Sequence, residues 1–128
     1  MKFLTEHFYI FLSIFFAVCS QLIIKWKMSA FSINNIGDTV IDKFIFAFSM
    51  LFNLWIMLSI IFTLLSGLSW MIAMTKFEIS YAYPFTILGF VAVMVLSHFL
   101  FNESLNFYKV LGTFIIIIGI LIVSKGYK

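Results

Sequence analysis

Residues 8–24 read FYIFLSIFFAVCSQLII, and the first charge after them is Lys25. A bilayer core about 30 Å thick is crossed by about 20 apolar residues in helical conformation. Carried on to Met28, this segment is long enough to cross. It has no carboxylate, and it ends in Ser20, Gln21 and Lys25. Gln21 and Lys25 stand one helical turn apart, so an amide and an ammonium share one face. Such a pair favours an anion such as a phosphate.

Three further uncharged stretches follow, at 44–75, 79–97 and 110–124. The chain has 128 residues, of which 64% are hydrophobic, and its charge is limited to 8 basic and 5 acidic groups. A soluble domain of this size exposes too much of its surface to hide that much apolar area. The pattern predicts an all-α integral membrane protein. One domain over 1–128 would carry four transmembrane helices, at about 8–28, 44–75, 79–101 and 107–124. Little is left for a soluble catalytic domain. No nucleophile with an ordered base, paired acids, metal cluster or phosphate-binding glycine loop is visible, so no enzyme, cofactor or metal is expected. Cys19 is the single cysteine and forms no disulfide framework. The net charge of +3 comes from lysines scattered near helix ends, which suits interfacial anchoring and gives no reason to expect nucleic acid. The first segment exceeds a usual signal-peptide core and has no clear small-residue cleavage site, so it is expected to stay as a helix.

The second stretch is unusually long. Fully helical, 44–75 would rise about 48 Å, so it either begins on the membrane surface or tilts strongly. The polar connection before it, 29–43, holds Asn34, Asn35, Gly37 and Asp38. Lys76 and Glu78 mark the turn into the third helix, where Pro84 suits a first helical turn. If the helices alternate, Lys2, Lys76, Lys125 and Lys128 lie on one side and Lys25, Lys27, Lys43 and Lys109 on the other. Orientation follows the lysine and arginine bias of short loops, and an even division gives little instruction. Dual insertion into an antiparallel dimer and a fixed topology, set by burial of Lys25 or by a partner, both remain open.

Polar residues mark the faces that turn from lipid. Ser59, Thr63, Ser66 and Trp70 share a face of the second helix, and Ser13, Ala17, Gln21 and Lys25 form a stripe on the first. For Ser13, Ser59 and Ser66 close helix packing is the simpler role. Lys25 lies about 26 Å along the helix from Phe8, where it would serve as a snorkelling anchor or as a ligand for an anionic headgroup. Gly112 and Gly119, seven apart in the last helix, share a face and suit helix association in a dimer. His98 reads as an interfacial or packed residue. Glu103 would complement the dipole of the last helix or face a cavity.

Three motifs carry a resemblance to the four-helix members of the drug/metabolite transporter superfamily. Gln21-Leu22-Ile23-Ile24-Lys25 resembles the Gln-Leu-x-x-Lys that closes helix 1 in aminoarabinose–undecaprenyl-phosphate flippase subunits. Ile79-Ser80-Tyr81-Ala82-Tyr83-Pro84 resembles the Ala-Tyr-Pro that opens helix 3. Phe101-Asn102-Glu103-Ser104, with Gly112 and Gly119 beyond, resembles the Glu-Pro turn and double-glycine helix 4, with Ser104 in place of the proline. Ala17 stands where the small multidrug resistance family has its essential glutamate, which counts against proton-coupled drug antiport. The resemblance implies movement of a monosaccharide on a polyprenyl phosphate across the bacterial inner membrane. Lys25 and Gln21 would hold the phosphate and Trp70, Tyr81 and Tyr83 the sugar, with Glu103 near a cationic group. The partners implied are the lipid-linked sugar, membrane lipid and a second subunit, identical or related. Two alternatives stand beside it: an exporter of small cations using Glu103 or Glu78, and a non-transporting accessory subunit of a membrane glycosyltransferase.

Overall fold

The first helix, α1, runs Lys2–Met28, longer at its start than the apolar run because Thr5, Glu6 and His7 join it. This is a computed structural model, and it describes residues 2–31 and 37–126, with side chains from Thr5. Asn34, Asn35 and Lys128, and the side chain of Lys2, lie outside the described residues. The other elements are α2 (Val40–Met50), α3 (Leu54–Ala73), α4 (Ile79–Ala82), a 3-10 turn (Tyr83–Thr86), α5 (Ile87–Phe101) and α6 (Phe107–Lys125). Four segments are long and apolar enough to cross a membrane: Thr5–Met28, Leu54–Ala73, Ile79–Phe101 and Phe107–Lys125. The chain is an all-α membrane protein with four transmembrane helices.

The long second stretch is two helices rather than the one expected over 44–75. Asn53 takes an extended backbone, φ −71° and ψ 134°, and its side-chain oxygen accepts from the Trp55 N–H at 2.9 Å. Asparagine is a strong N-cap because it satisfies a donor that the new helix leaves open. It therefore ends one helix and starts the next inside an otherwise uncharged run. The break leaves a 20-residue span in α3 and a short helix ahead of it. At about 16 Å, α2 is too short to cross. Its Ile41, Phe44, Ile45 and Phe48 are all exposed, and that one-sided apolar stripe suits a helix lying along the interface. Thr39 caps it, accepting from the Asp42 N–H at 3.1 Å.

The most extensive packing joins α1 to α3, with α5 also against α1. His7 meets Phe77, Ser13 meets Ser66 and Trp26 meets Trp55, so α1 and α3 run antiparallel. Ile10 of α1, Ala73 of α3 and Ala82 of α4 form the buried core. Gly89 lets α5 approach: a Cβ there would lie 3.3 Å from Ile14 Cγ2 and 3.6 Å from Val18 Cγ2. Most side chains of the third and fourth spans face outward, towards lipid or another subunit. Pro84 sits one turn inside the third span instead of at its start. With no N–H to donate, it breaks the regular ladder, and the chain tightens to a 3-10 turn there.

Asn102 ends α5 in the left-handed conformation, φ 55°, and the Glu103 N–H bonds back to the Ser97 carbonyl at 3.4 Å. The Asn102 N–H reaches the same Ser97 carbonyl, so the helix ends on a left-handed cap, a position that asparagine tolerates. Asn102→Val should therefore lower stability by about 1–2 kcal/mol, whereas Asn102→Gly should be close to neutral. Unfolding in mixed detergent micelles, followed by circular dichroism, separates the two. Equal midpoints would show that the turn is not held by this conformation.

Candidate functional site

A groove of about 380 Å³ opens on the side of the α1–α3 pair, lined by Ser13, Ala17, Thr63, Ser66, Trp70 and Tyr83 among others. Its hydroxyls are already engaged. Ser13 donates to the Ser66 carbonyl at 2.9 Å while Ser66 donates to the Ser13 carbonyl at 2.8 Å, a reciprocal clasp between the helices. Ser20 and Thr63 lie 2.6 Å apart. Since the Thr63 hydroxyl donates to the Ser59 carbonyl at 2.9 Å, Ser20 is the donor of that pair. Ser13 with Ser66, and Ser20 with Thr63, join the two helices, while the buried Ser59 donates to the Ile56 carbonyl of its own helix at 2.6 Å. Trp70 and Tyr83 meet edge to face, their ring centroids 6.2 Å apart, and present two amphipathic rings at the groove wall.

One end of the molecule carries Lys25. Its ammonium lies 3.4 Å from a Glu103 carboxylate oxygen, and the two side chains are 53% and 39% exposed. The Glu103 backbone is held in turn, because His98 Nδ1 donates to its carbonyl at 2.7 Å. Asn106, not Glu103, caps α6, accepting from the Lys109 N–H at 2.9 Å. Beside Lys25, Lys27 stands 4.2 Å above the Trp26 ring and 5.4 Å from that of Trp55. Lys27 over that tryptophan pair is an arrangement suited to interfacial anchoring. Gln21 is exposed on the turn before Lys25.

The opposite end is built around His7, a residue that neither hydropathy nor motif spacing singles out. His7 is 4% exposed, its Nε2 is 3.0 Å from the Tyr81 hydroxyl, and Phe77 and Phe85 pack against its ring. A pocket of about 560 Å³ opens there, lined by Glu6, His7, Lys76, Phe77 and Tyr81. The one sequence signal for it is the Glu6-His7 pair just before the first apolar run, which looks like ordinary flanking sequence.

The expected ligand set is thus divided. Gln21, Lys25 and Glu103 gather at one end, and Trp70 and Tyr83 share the groove. Tyr81, two residues from Tyr83, turns to the far end with His7. Along α1, His7 and Lys25 are about 27 Å apart, so one headgroup at rest does not touch both. Gly112 and Gly119 have no atom within 4 Å of a built Cβ. Their face is open within the chain.

Four apolar spans, a lateral groove and charged groups at both ends define a small multi-pass membrane protein with the layout of a transporter subunit. The chain is 28% identical over 122 residues to the "Probable 4-amino-4-deoxy-L-arabinose-phosphoundecaprenol flippase subunit ArnE" of Hamiltonella defensa, covering 94% of this chain and 98% of that one. It is 30% identical over 71 residues to the ArnE subunit of the same description from Pseudomonas fluorescens, covering 56% and 62%. It is 25% identical over 123 residues to the ArnF subunit of Serratia proteamaculans, covering 91% and 89%. No family model matches the chain. No solved structure matches it. The comparisons bear out the resemblance that the three motifs carry: the chain is similar to bacterial flippase subunits, and it is a multi-pass inner-membrane protein.

Proposed function

We propose that this chain is a subunit of a flippase that moves a polyprenyl-phosphate-linked monosaccharide across the bacterial inner membrane. The observation that carries the reading is similarity to an ArnE flippase subunit over 98% of that subunit's length. The geometry supports it with a groove open to the side, through which a lipid tail stays in hydrocarbon while its headgroup moves. A bare phosphate has a prohibitive transfer free energy through that layer. Lys25 and Gln21 receive the phosphate at one interface, and Trp70 and Tyr83 offer rings against which a sugar stacks. Glu103 holds Lys25 between turnovers and meets any cationic group on the sugar. Gly112 and Gly119 bring α6 against a second subunit, either another copy in antiparallel orientation or a related chain. The work is transport and needs no cofactor.

An exporter of small cations is less well supported. Glu103 is engaged by Lys25, and Glu78 is exposed at the head of α4. Neither offers a carboxylate to the groove. Native mass spectrometry of the purified protein in detergent tests the choice. Undecaprenyl phosphate should be retained in preference to undecaprenol, which differs only by the phosphate. Equal retention of the two, with binding of a hydrophobic quaternary amine, would overturn the flippase reading in favour of the exporter.

A further inference from the structure

Among the described residues, Lys76 is the lysine that lines the end pocket opposite Lys25, and it differs from Lys25 in its surroundings. Lys25 is paired with Glu103. Among the described residues no carboxylate lies within ion-pairing distance of Lys76, whose ammonium instead stands 5.7 Å from the centroid of the Tyr9 ring. The pocket around it is firmly based. Its floor adjoins the best-buried part of the protein, where Ile10, Ala73 and Ala82 pack with Tyr9, Phe77 and Phe85. Its wall holds the buried His7, which positions the Tyr81 hydroxyl at 3.0 Å. A cation on a rigid aromatic and phenolic wall, beside a chamber of about 560 Å³, is suited to an anion with further bulk attached.

We propose that Lys76, with the Tyr81 hydroxyl set by His7, forms a second phosphate-binding site at the membrane face opposite Lys25. This rests on the flippase reading and extends it: a headgroup released from Lys25 at one interface needs a receptor at the other. The two sites stand at opposite ends of α1, about 27 Å apart, close to the thickness of the hydrocarbon layer. Lys76 is the ligand, and His7 is a positioning residue. Glu6 shares the rim and opposes a bare anion, so its charge weakens the site for a phosphate with no cationic group attached.

The test measures the affinity of undecaprenyl phosphate for the full chain by native mass spectrometry, with inorganic phosphate as competitor. In the Lys25→Ala protein the lipid should still bind. Adding Lys76→Ala should weaken that residual binding about tenfold or more, from loss of a charge-assisted bond. Adding Lys76→Arg should keep it, and adding Glu6→Gln should tighten it. Lys76 and Glu6 are exposed, so these variants keep the fold. Displacement by inorganic phosphate that depends on Lys76 would assign the free anion as a ligand. Its absence would assign the lipid-borne phosphate, and either supports the site. Residual binding indifferent to Lys76, or none at all once Lys25 is replaced, would overturn the second site while leaving the Lys25 site standing. A wild-type protein that binds no phosphate lipid would overturn both.

Discussion

Lys25→Ala should slow headgroup translocation about 10- to 100-fold, while Lys25→Arg should retain most of the rate. The range follows from losing a hydrogen bond to a charged group, about 1.5–3 kcal/mol, at the step where phosphate leaves water. Arginine keeps the charge and can offer two donors to a phosphate. The substitution should leave the fold intact. The Lys25 side chain is half exposed, and its pairing with Glu103 is a surface contact of small energetic value. Flipping of a labelled polyprenyl-phosphate sugar, in vesicles containing the assembled transporter, gives the rate. Detergent unfolding of the same variant controls for stability. Glu103→Gln supplies the opposing arm, because releasing the lysine from its carboxylate should tighten capture of the phosphate. Should Lys25→Ala flip at the wild-type rate, Lys25 would be an interfacial anchor, and the phosphate would have to enter elsewhere.

The parts of this fold that could be read from the chain are those governed by hydropathy alone. Three of the four spans follow the uncharged stretches within a few residues, because transfer of a charge into hydrocarbon is costly enough to dictate where helices end. The second stretch misleads for a local reason. Asn53 carries no formal charge, so an apolar run passes through it unnoticed, yet its side-chain oxygen caps Trp55 and divides the run into a short helix and a span. Pro84 shows a similar limit: its position predicts a helix start, but Ile79–Ala82 already form a turn before it.

The site was readable by residue type and less so by placement. A lysine and an amide at the end of α1 point to an anion on chemistry alone. That Lys25 is paired with Glu103 depends on the α5–α6 turn, where Asn102 adopts a left-handed conformation and His98 holds the Glu103 carbonyl. No spacing rule brings residues 25 and 103 together. Tyr81 and Tyr83 look equivalent in sequence. Two positions apart on a helical turn they face nearly opposite ways, so one reaches His7 and the other Trp70. His7 itself gives little warning, since a histidine ahead of an apolar run usually marks only the water interface.

The largest stability effect should come from the serine clasp. Ser13→Leu should destabilise the protein by about 1–3 kcal/mol from overpacking alone, since Ser13 is 5% exposed and its hydroxyl lies 3.1 Å from that of Ser66. A leucine there would have to displace α3 or adopt a strained rotamer. It would also remove the bonds between Ser13 and Ser66 that hold the two helices in register. The hydrogen bonds are the smaller part. Between membrane helices such bonds average about 0.6 kcal/mol and reach about 1.7 kcal/mol, because the dissociated helices find other partners. Ser13→Ala and Ser66→Ala should therefore each be mild, and a double-mutant cycle should return a coupling within that range. Unfolding in mixed detergent micelles measures the wild type and all four variants. If Ser13→Leu proves no less stable than Ser13→Ala, the helices do not approach as closely as the clasp requires. The groove beside them would then be a looser opening than the reciprocal bonds imply. If leucine is costly and alanine mild, close approach of α1 and α3 outweighs the hydrogen bonds between them, and the small residues serve shape more than polarity. The groove between Trp70 and Tyr83 then keeps its form because the clasp beneath it cannot slide, which is the rigidity a headgroup path needs.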